Sequence, residues 1–73
     1  MAVIVGLNNK EHTVNDKSLI HIQLGKNRSA YRTKWSFVGE AAKAVRYYRC
    51  LNVGYGYKKR LVLDGKVIAK TIT

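Results

Sequence analysis

Residues 57–72, YKKRLVLDGKVIAKTI, decide the fold of this chain. Two runs rich in β-branched and apolar residues flank Asp64-Gly65, and this dipeptide between two such runs is a strong short-range signal for a β-hairpin. We therefore predict a strand from Tyr57 to Leu63, a turn at Asp64-Gly65 and a returning strand from Lys66 to Ile72.

Two alternating runs upstream predict a second hairpin. Residues 19–24, LIHIQL, place apolar side chains on one side and His21 and Gln23 on the other, as in a half-buried strand. After the turn-forming residues 25–27, residues 28–35 alternate again, which sets aromatic and hydroxyl side chains on one face and cations on the other. The first set is Tyr31, Thr33 and Trp35, and the second is Arg28, Arg32 and Lys34.

A helix is predicted from Phe37 to Leu51. Ser36 is a suitable N-cap, and Asn52 and Gly54 are typical of a helix end. Apolar residues recur every three or four positions and so form one buried stripe. They are Phe37, Ala41, Ala44, Val45, Tyr48 and Leu51.

A further short strand at residues 3–7, closed by the loop-forming residues 8 and 9, comes before these elements. The predicted order is therefore strand, strand, strand, helix, strand, strand. A helix buries its stripe most simply on one face of an antiparallel sheet. We expect an α+β fold in which a single helix packs on a sheet of four to five strands.

Residues 1–73 show no proline, no Ser/Gly-rich linker and no repeat, so we expect one compact basic domain. The single cysteine, Cys50, cannot form an intrachain disulfide, which favours a reducing compartment. The longest apolar run, residues 2–7, is too short to span a bilayer and does not resemble a signal peptide. We expect a cytoplasmic protein without a membrane partner.

The charge of the chain is unevenly distributed. Of 14 Lys and Arg residues, ten lie between Lys26 and Arg60, where Glu40 is the only acid. Self-repulsion among these cations costs free energy, which an anionic partner relieves. We expect that partner to be the phosphate backbone of DNA or RNA, or an acidic protein surface, and not a small-molecule substrate.

Cations interleaved with aromatic rings form the candidate binding surface. Cations neutralise phosphates and rings stack on bases, which is how many proteins hold single strands. Tyr55 and Tyr57 lie among glycines that predict a loop. Whether the two tyrosines are exposed and contact a partner is left open by the sequence. Trp35 and Tyr48 fall on inner faces and are predicted in the core. The candidate cations are Arg28, Arg32, Lys34, Lys43, Arg46, Arg49, Lys58, Lys59 and Arg60.

Residues suited to catalysis or metal binding are sparse. The chain has four acidic residues, and one of them, Asp64, is used in a turn. His12, His21 and Cys50 are scattered without the spacing of metal ligands. We therefore expect no enzymatic activity, no metal site and no cofactor.

In size, composition and compact β-rich plan, the chain resembles small bacteriophage-encoded proteins that bind host RNA polymerase and redirect transcription; no signature motif contributes to the resemblance. It implies a non-enzymatic regulator that docks on the polymerase near its nucleic-acid channels, in the cytoplasm of a bacterial host. The N-terminal strand would supply an apolar or strand-pairing anchor through Val3, Ile4, Val5 and Leu7. The alternative is a sequence-tolerant DNA- or RNA-binding module that uses the basic strand and helix faces.

Overall fold

The computed structural model of the protein describes residues 2–26 and 30–70. Within them, α1 packs on one face of a four-stranded antiparallel sheet of order β4-β3-β5-β6, while β1 and β2 pair with each other. The predicted α+β class is confirmed. The elements are β1 (Ala2–Val5), β2 (Glu11–Val14), β3 (Leu19–Gly25), β4 (Arg32–Val38), α1 (Ala41–Cys50), β5 (Lys58–Leu63) and β6 (Lys66–Lys70).

The predicted hairpin around Asp64-Gly65 joins β5 to β6. Both turn residues have positive φ, 49° at Asp64 and 82° at Gly65, as a type I′ turn requires. Asp64 also contacts the start of β3, because its N–H donates to the Leu19 carbonyl at 2.8 Å and its Oδ1 accepts the Leu19 N–H at 2.9 Å. The acidic side chain therefore links the turn to the central strand.

Strand β2 was not predicted from the sequence. Only one apolar side chain of this strand reaches the core, that of Val14, which is 1% exposed. The strand forms because it pairs along the whole length of β1. Asn8 and Asn9, each with a φ of 58°, reverse the chain between the two strands, in a conformation that asparagine tolerates better than most residues.

Helix α1 begins at Ala41, and the prediction that it begins at Phe37 is wrong. Residues up to Val38 are extended and pair with β3, which suits their aromatic and β-branched side chains. Ser36 lies inside a strand, so it cannot be the N-cap, a position that Glu40 occupies.

Gly39 changes the direction of the chain between β4 and α1. It has a φ of 71°, and its N–H donates to the Ser18 carbonyl at 2.8 Å. A Cβ at this position would come within 2.8 Å of backbone atoms of Asp16. Glycine is therefore required both by the conformation and by the close approach of the β2–β3 turn.

The hydrophobic core lies between one sheet face and a layer formed by α1 and the β1–β2 hairpin. Ile20 and Ile22 of the central strand are both 0% exposed, and burying each contributes about 1.5–3 kcal/mol. The predicted helix stripe is confirmed from Ala41 onward, with Val45 and Leu51 at the margin of the core. The buried members of the core are Ile4, Val14, Ile20, Ile22, Phe37, Ala41, Ala44, Tyr48, Leu61, Leu63, Ile68 and Ala69.

A β-bulge in β4 changes which side chains share a face. Ile22 pairs with Trp35 but Gln23 pairs with Thr33, so Lys34 is the additional residue. Trp35 therefore lies on the core side of the sheet and Thr33 on the opposite side, and the prediction that they share a face is wrong. Trp35 is also 37% exposed, at the edge of the core rather than within it.

The N-terminal hairpin meets the last strand at Gly6. The Gly6 N–H donates to the Lys10 carbonyl at 2.8 Å. A Cβ on Gly6 would overlap the carbonyl oxygen of Ile68 and approach the His12 ring to 3.1 Å. The connection between β1 and β2 thus packs against β6 through a contact that only glycine permits.

Candidate nucleic-acid interface

The candidate cations lie on three surfaces rather than one. These are a groove at the tip of the β3–β4 hairpin, the sheet face opposite α1, and the exposed side of α1. The groove contains Arg32 and Lys34, and the sheet face contains Lys58 and Arg60. The exposed side of α1 carries Lys43, Arg46 and Arg49. Arg28 lies outside the described residues. The expected basic surface is therefore divided among three parts of the molecule.

The first surface, which we call the basic groove, lies between the hairpin tip and the loop that follows α1. Its volume is about 620 Å³. The cations Lys26, Arg32 and Lys34 line it, and no acidic side chain does so in the described part of the chain. Unopposed positive charge in a concave site attracts phosphate groups.

An aromatic ring forms one wall of the basic groove. Tyr57 lines it and is 46% exposed, and Lys26 Nζ lies 5.2 Å from the centre of its ring, within the range of a cation–π contact. Gly25 allows the hairpin to close tightly beside them, because a Cβ there would come within 2.9 Å of the backbone at residues 30–31. A phosphate and its base could therefore meet a cation and a ring at one place.

Tyr55 projects from the loop between α1 and β5. Its side chain is fully exposed, at 104%. The Tyr57 N–H donates to the Gly54 carbonyl at 3.0 Å, and Gly56 adopts a φ of 82°, so a defined turn presents the ring. The predicted loop is confirmed, and the structure shows both tyrosines exposed, a question that the sequence left open; their contact with a partner stays a prediction.

The sheet face opposite α1 carries a linked row of polar side chains. Arg60 Nε donates to Gln23 Oε1 at 2.6 Å, and Gln23 Nε2 donates to Thr33 Oγ1 at 3.1 Å. The guanidinium carbon of Arg60 lies 4.2 Å from the centre of the Tyr31 ring. These contacts hold the Arg60 guanidinium group over the Tyr31 ring. Its hydrogen bond to Gln23 uses Nε, and the two terminal nitrogens are the atoms that suit a phosphate.

Lys59 is buried, so its predicted place in the exposed cluster is wrong. The residue is 7% exposed, and its Nζ donates to the carbonyls of Tyr48 at 2.6 Å and Leu51 at 3.3 Å. It also lies 4.7 Å from the centre of the Tyr48 ring. Its positive charge satisfies carbonyls at the C-terminal end of α1, where the helix dipole favours a cation. Lys59 holds the end of the helix on β5.

The N-terminal strand combines surface and core side chains. Val3 and Val5 are 56% and 55% exposed, and Leu7 is 37% exposed. Ile4 is only 4% exposed, because alternate strand residues point to opposite faces. The prediction that Ile4 contacts a partner is therefore wrong, whereas Val3, Val5 and Leu7 are accessible.

Two residues of these surfaces, Lys26 and Tyr31, are not among the binding residues predicted from the sequence. Lys26 had an available signal, since it lies in the predicted turn just before the second run, which contains Arg32 and Lys34. Tyr31 had none, because its contact with Arg60 depends on the register that sets Gln23 opposite Arg60.

Comparison with known proteins found no matching family model, no similar curated protein and no similar solved structure. Within residues 2–26 and 30–70, no helix is long and apolar enough to cross a membrane. The same residues contain no group of three or more His, Cys, Asp or Glu side chains that could hold a metal ion.

We predict that Lys59→Met lowers the free energy of unfolding by about 1–3 kcal/mol, because methionine keeps most of the aliphatic packing while the helix carbonyls lose their donor. Urea unfolding followed by circular dichroism measures the change. Lys58→Met is the matched control: it removes the same charge from an exposed neighbour and should alter stability by less than about 0.5 kcal/mol. Equal losses in the two variants would contradict the role assigned to Lys59.

Proposed function

We propose that the protein binds single-stranded DNA or RNA, with little sequence discrimination, through the basic groove and the tyrosines beside it. The observation that carries this proposal is the meeting of Lys26, Arg32 and Lys34 with Tyr57 in one groove that, among the described residues, no acid lines. Tyr55 extends the aromatic surface from the adjoining turn.

Each part of this site suits an unpaired strand. Phosphate contacts from lysine and arginine supply affinity but carry no sequence information. Exposed rings stack on bases that are not already stacked in a duplex, at roughly 1–3 kcal/mol per base, and every base offers such a face. The combination favours single strands over duplexes and tolerates different sequences.

Docking on host RNA polymerase, as a regulator of transcription, is our second candidate function. The observation that favours it is a separate apolar groove between β1 and α1, in which Arg46 and Arg49 provide positive charge. This groove is distinct from the basic groove in all of its lining residues. One protein could therefore contact the polymerase and a nearby nucleic-acid strand together.

We predict that the double variant Arg32→Gln/Lys34→Gln weakens binding to a labelled oligothymidine or oligouridine by about tenfold or more at low salt. Loss of two phosphate contacts should also reduce the slope of log affinity against log salt by about 1.4, at roughly 0.7 per contact on single strands. Fluorescence anisotropy at several salt concentrations measures both quantities.

The matched control for this experiment is Lys17→Gln/Lys66→Gln. Both lysines are exposed and lie at the end of the sheet opposite the basic groove, so the net charge falls equally while the groove is unchanged. Equal weakening by both double variants would mean that binding follows net charge alone, and it would refute the groove as the site.

We predict that Tyr55→Ala weakens binding to the same oligonucleotides by about fivefold or more, because one stacked base is lost. Tyr55→Phe keeps the ring and should bind like the wild type. The fully exposed side chain makes a loss of stability in either variant unexpected. If alanine and phenylalanine have the same affinity, stacking at this position is excluded.

For the second candidate, we predict that the tagged protein retains RNA polymerase subunits from a nuclease-treated bacterial lysate, identified by mass spectrometry. Val3→Ser/Val5→Ser should reduce the retained polymerase, since both residues line the apolar groove and are exposed. Point substitutions are required because deleting β1 would remove Ile4 from the core. Absence of polymerase after nuclease treatment, with oligonucleotide binding intact, would rule out docking and leave the first function standing.

A further inference from the structure

We infer that the groove between β1 and α1 binds an extended, acidic segment of a partner protein as an additional strand along β1. This inference rests on the second candidate function, for which it names the site and the chemistry of the partner. It is independent of oligonucleotide binding at the basic groove.

The β1–α1 groove is apolar and has the size of a binding site. Its volume is about 530 Å³, and every residue of β1 lines it together with the side of α1 that carries Ala41, Ala42 and Val45. A second cavity of about 390 Å³ shares Val45 and continues to Leu61 and Ala69 of the sheet. The small side chains of the helix leave room for apolar side chains of a partner. The volumes of both cavities lie within the range found for ligand sites.

The backbone of β1 offers an edge for pairing. Among the described residues, β1 is bonded to β2 on one side and to no strand on the other. An unpaired edge presents N–H and C=O groups that an extended peptide can satisfy, while the alternate side chains of the peptide enter pockets beside the strand. The groove lies directly along β1, so backbone pairing and side-chain burial can occur together.

The charges around this groove select an acidic partner. Arg46 and Arg49, both exposed, line it one helical turn apart, and no acidic residue in the described part of the chain does so. The acid nearest in the helix, Glu40, pairs with Lys43 at 3.5 Å. An apolar floor below two unopposed guanidinium groups matches a segment that alternates apolar residues with aspartate or glutamate.

Nucleic acid is a poorer occupant of the β1–α1 groove. In the first cavity no aromatic side chain is among the described lining residues, and most of the lining is aliphatic. Single strands are held by cations combined with rings, and that combination occurs instead at the basic groove.

A selection from random peptides of about 10 residues, a length typical of long strands, tests the inference on the intact protein. The peptides retained should be enriched in aspartate and glutamate alternating with valine, isoleucine or leucine. An absence of enrichment, or enrichment without acidic residues, would overturn the inference.

Charge exchange then tests the site itself. Arg46→Glu/Arg49→Glu should lower the affinity for the best selected peptide by about tenfold, a change that the loss of two exposed ion pairs can cause. A peptide with lysine in place of its acidic residues should prefer this variant to the wild type. Lys17→Glu/Lys66→Glu is the control of equal charge, and equal weakening in both variants would overturn the inference.

The single cysteine gives a readout at the groove. Cys50 is exposed and lines it, so the bound peptide should slow its reaction with a thiol reagent severalfold, whereas an oligonucleotide at the basic groove should not. If the reactivity of Cys50 is unchanged at saturating peptide, the peptide does not bind in this groove and the inference is overturned. Sedimentation of the free protein identifies the competing occupant: a dimer that does not bind the peptide and that Arg46→Glu/Arg49→Glu dissociates would show a second copy in the groove and refute the proposal.

Discussion

Strand β3 imposes the constraint on which the other elements depend. It is paired along both edges, with β4 and with β5, so its side chains point either toward α1 or away from it. Ile20 and Ile22 point toward α1 and are fully buried, whereas His21 and Gln23 lie on the opposite face. A shift of one residue in this strand would put polar groups into the core. The alternation of β3 therefore determines what is buried and which cations reach solvent.

Much of the fold could be predicted because its signals are local. The alternation of β3, the Asp64-Gly65 turn and the spacing of the helix stripe are each contained within a few residues. The signal that fixes the start of α1 is not local. Phe37 fits the helix stripe and a strand equally well, and its pairing with Ile20 decides between the two. Strand β2 likewise depends on β1, since Val14 alone gives it an apolar anchor in the core.

The composition of the candidate surfaces was predictable, but the arrangement of their side chains was not. The run Lys58-Lys59-Arg60 has three similar residues, yet β-strand alternation directs the middle one toward α1. There the long side chain of Lys59 reaches carbonyls at the end of the helix. The bulge at Lys34 similarly moves Trp35 to the other face of the sheet. Neither outcome follows from residue types until the register of the strands is known.

The contact of Gly6 with the carbonyl of Ile68 has a consequence for synthesis on the ribosome. The first hairpin packs against β6, so a nascent chain cannot complete this core until β6 has left the exit tunnel. Pairings between distant parts of a chain close slowly, and exposed strand edges invite association meanwhile. The core should therefore close only after β6 has emerged, and an early stop codon that removes β6 would leave the N-terminal hairpin without its support.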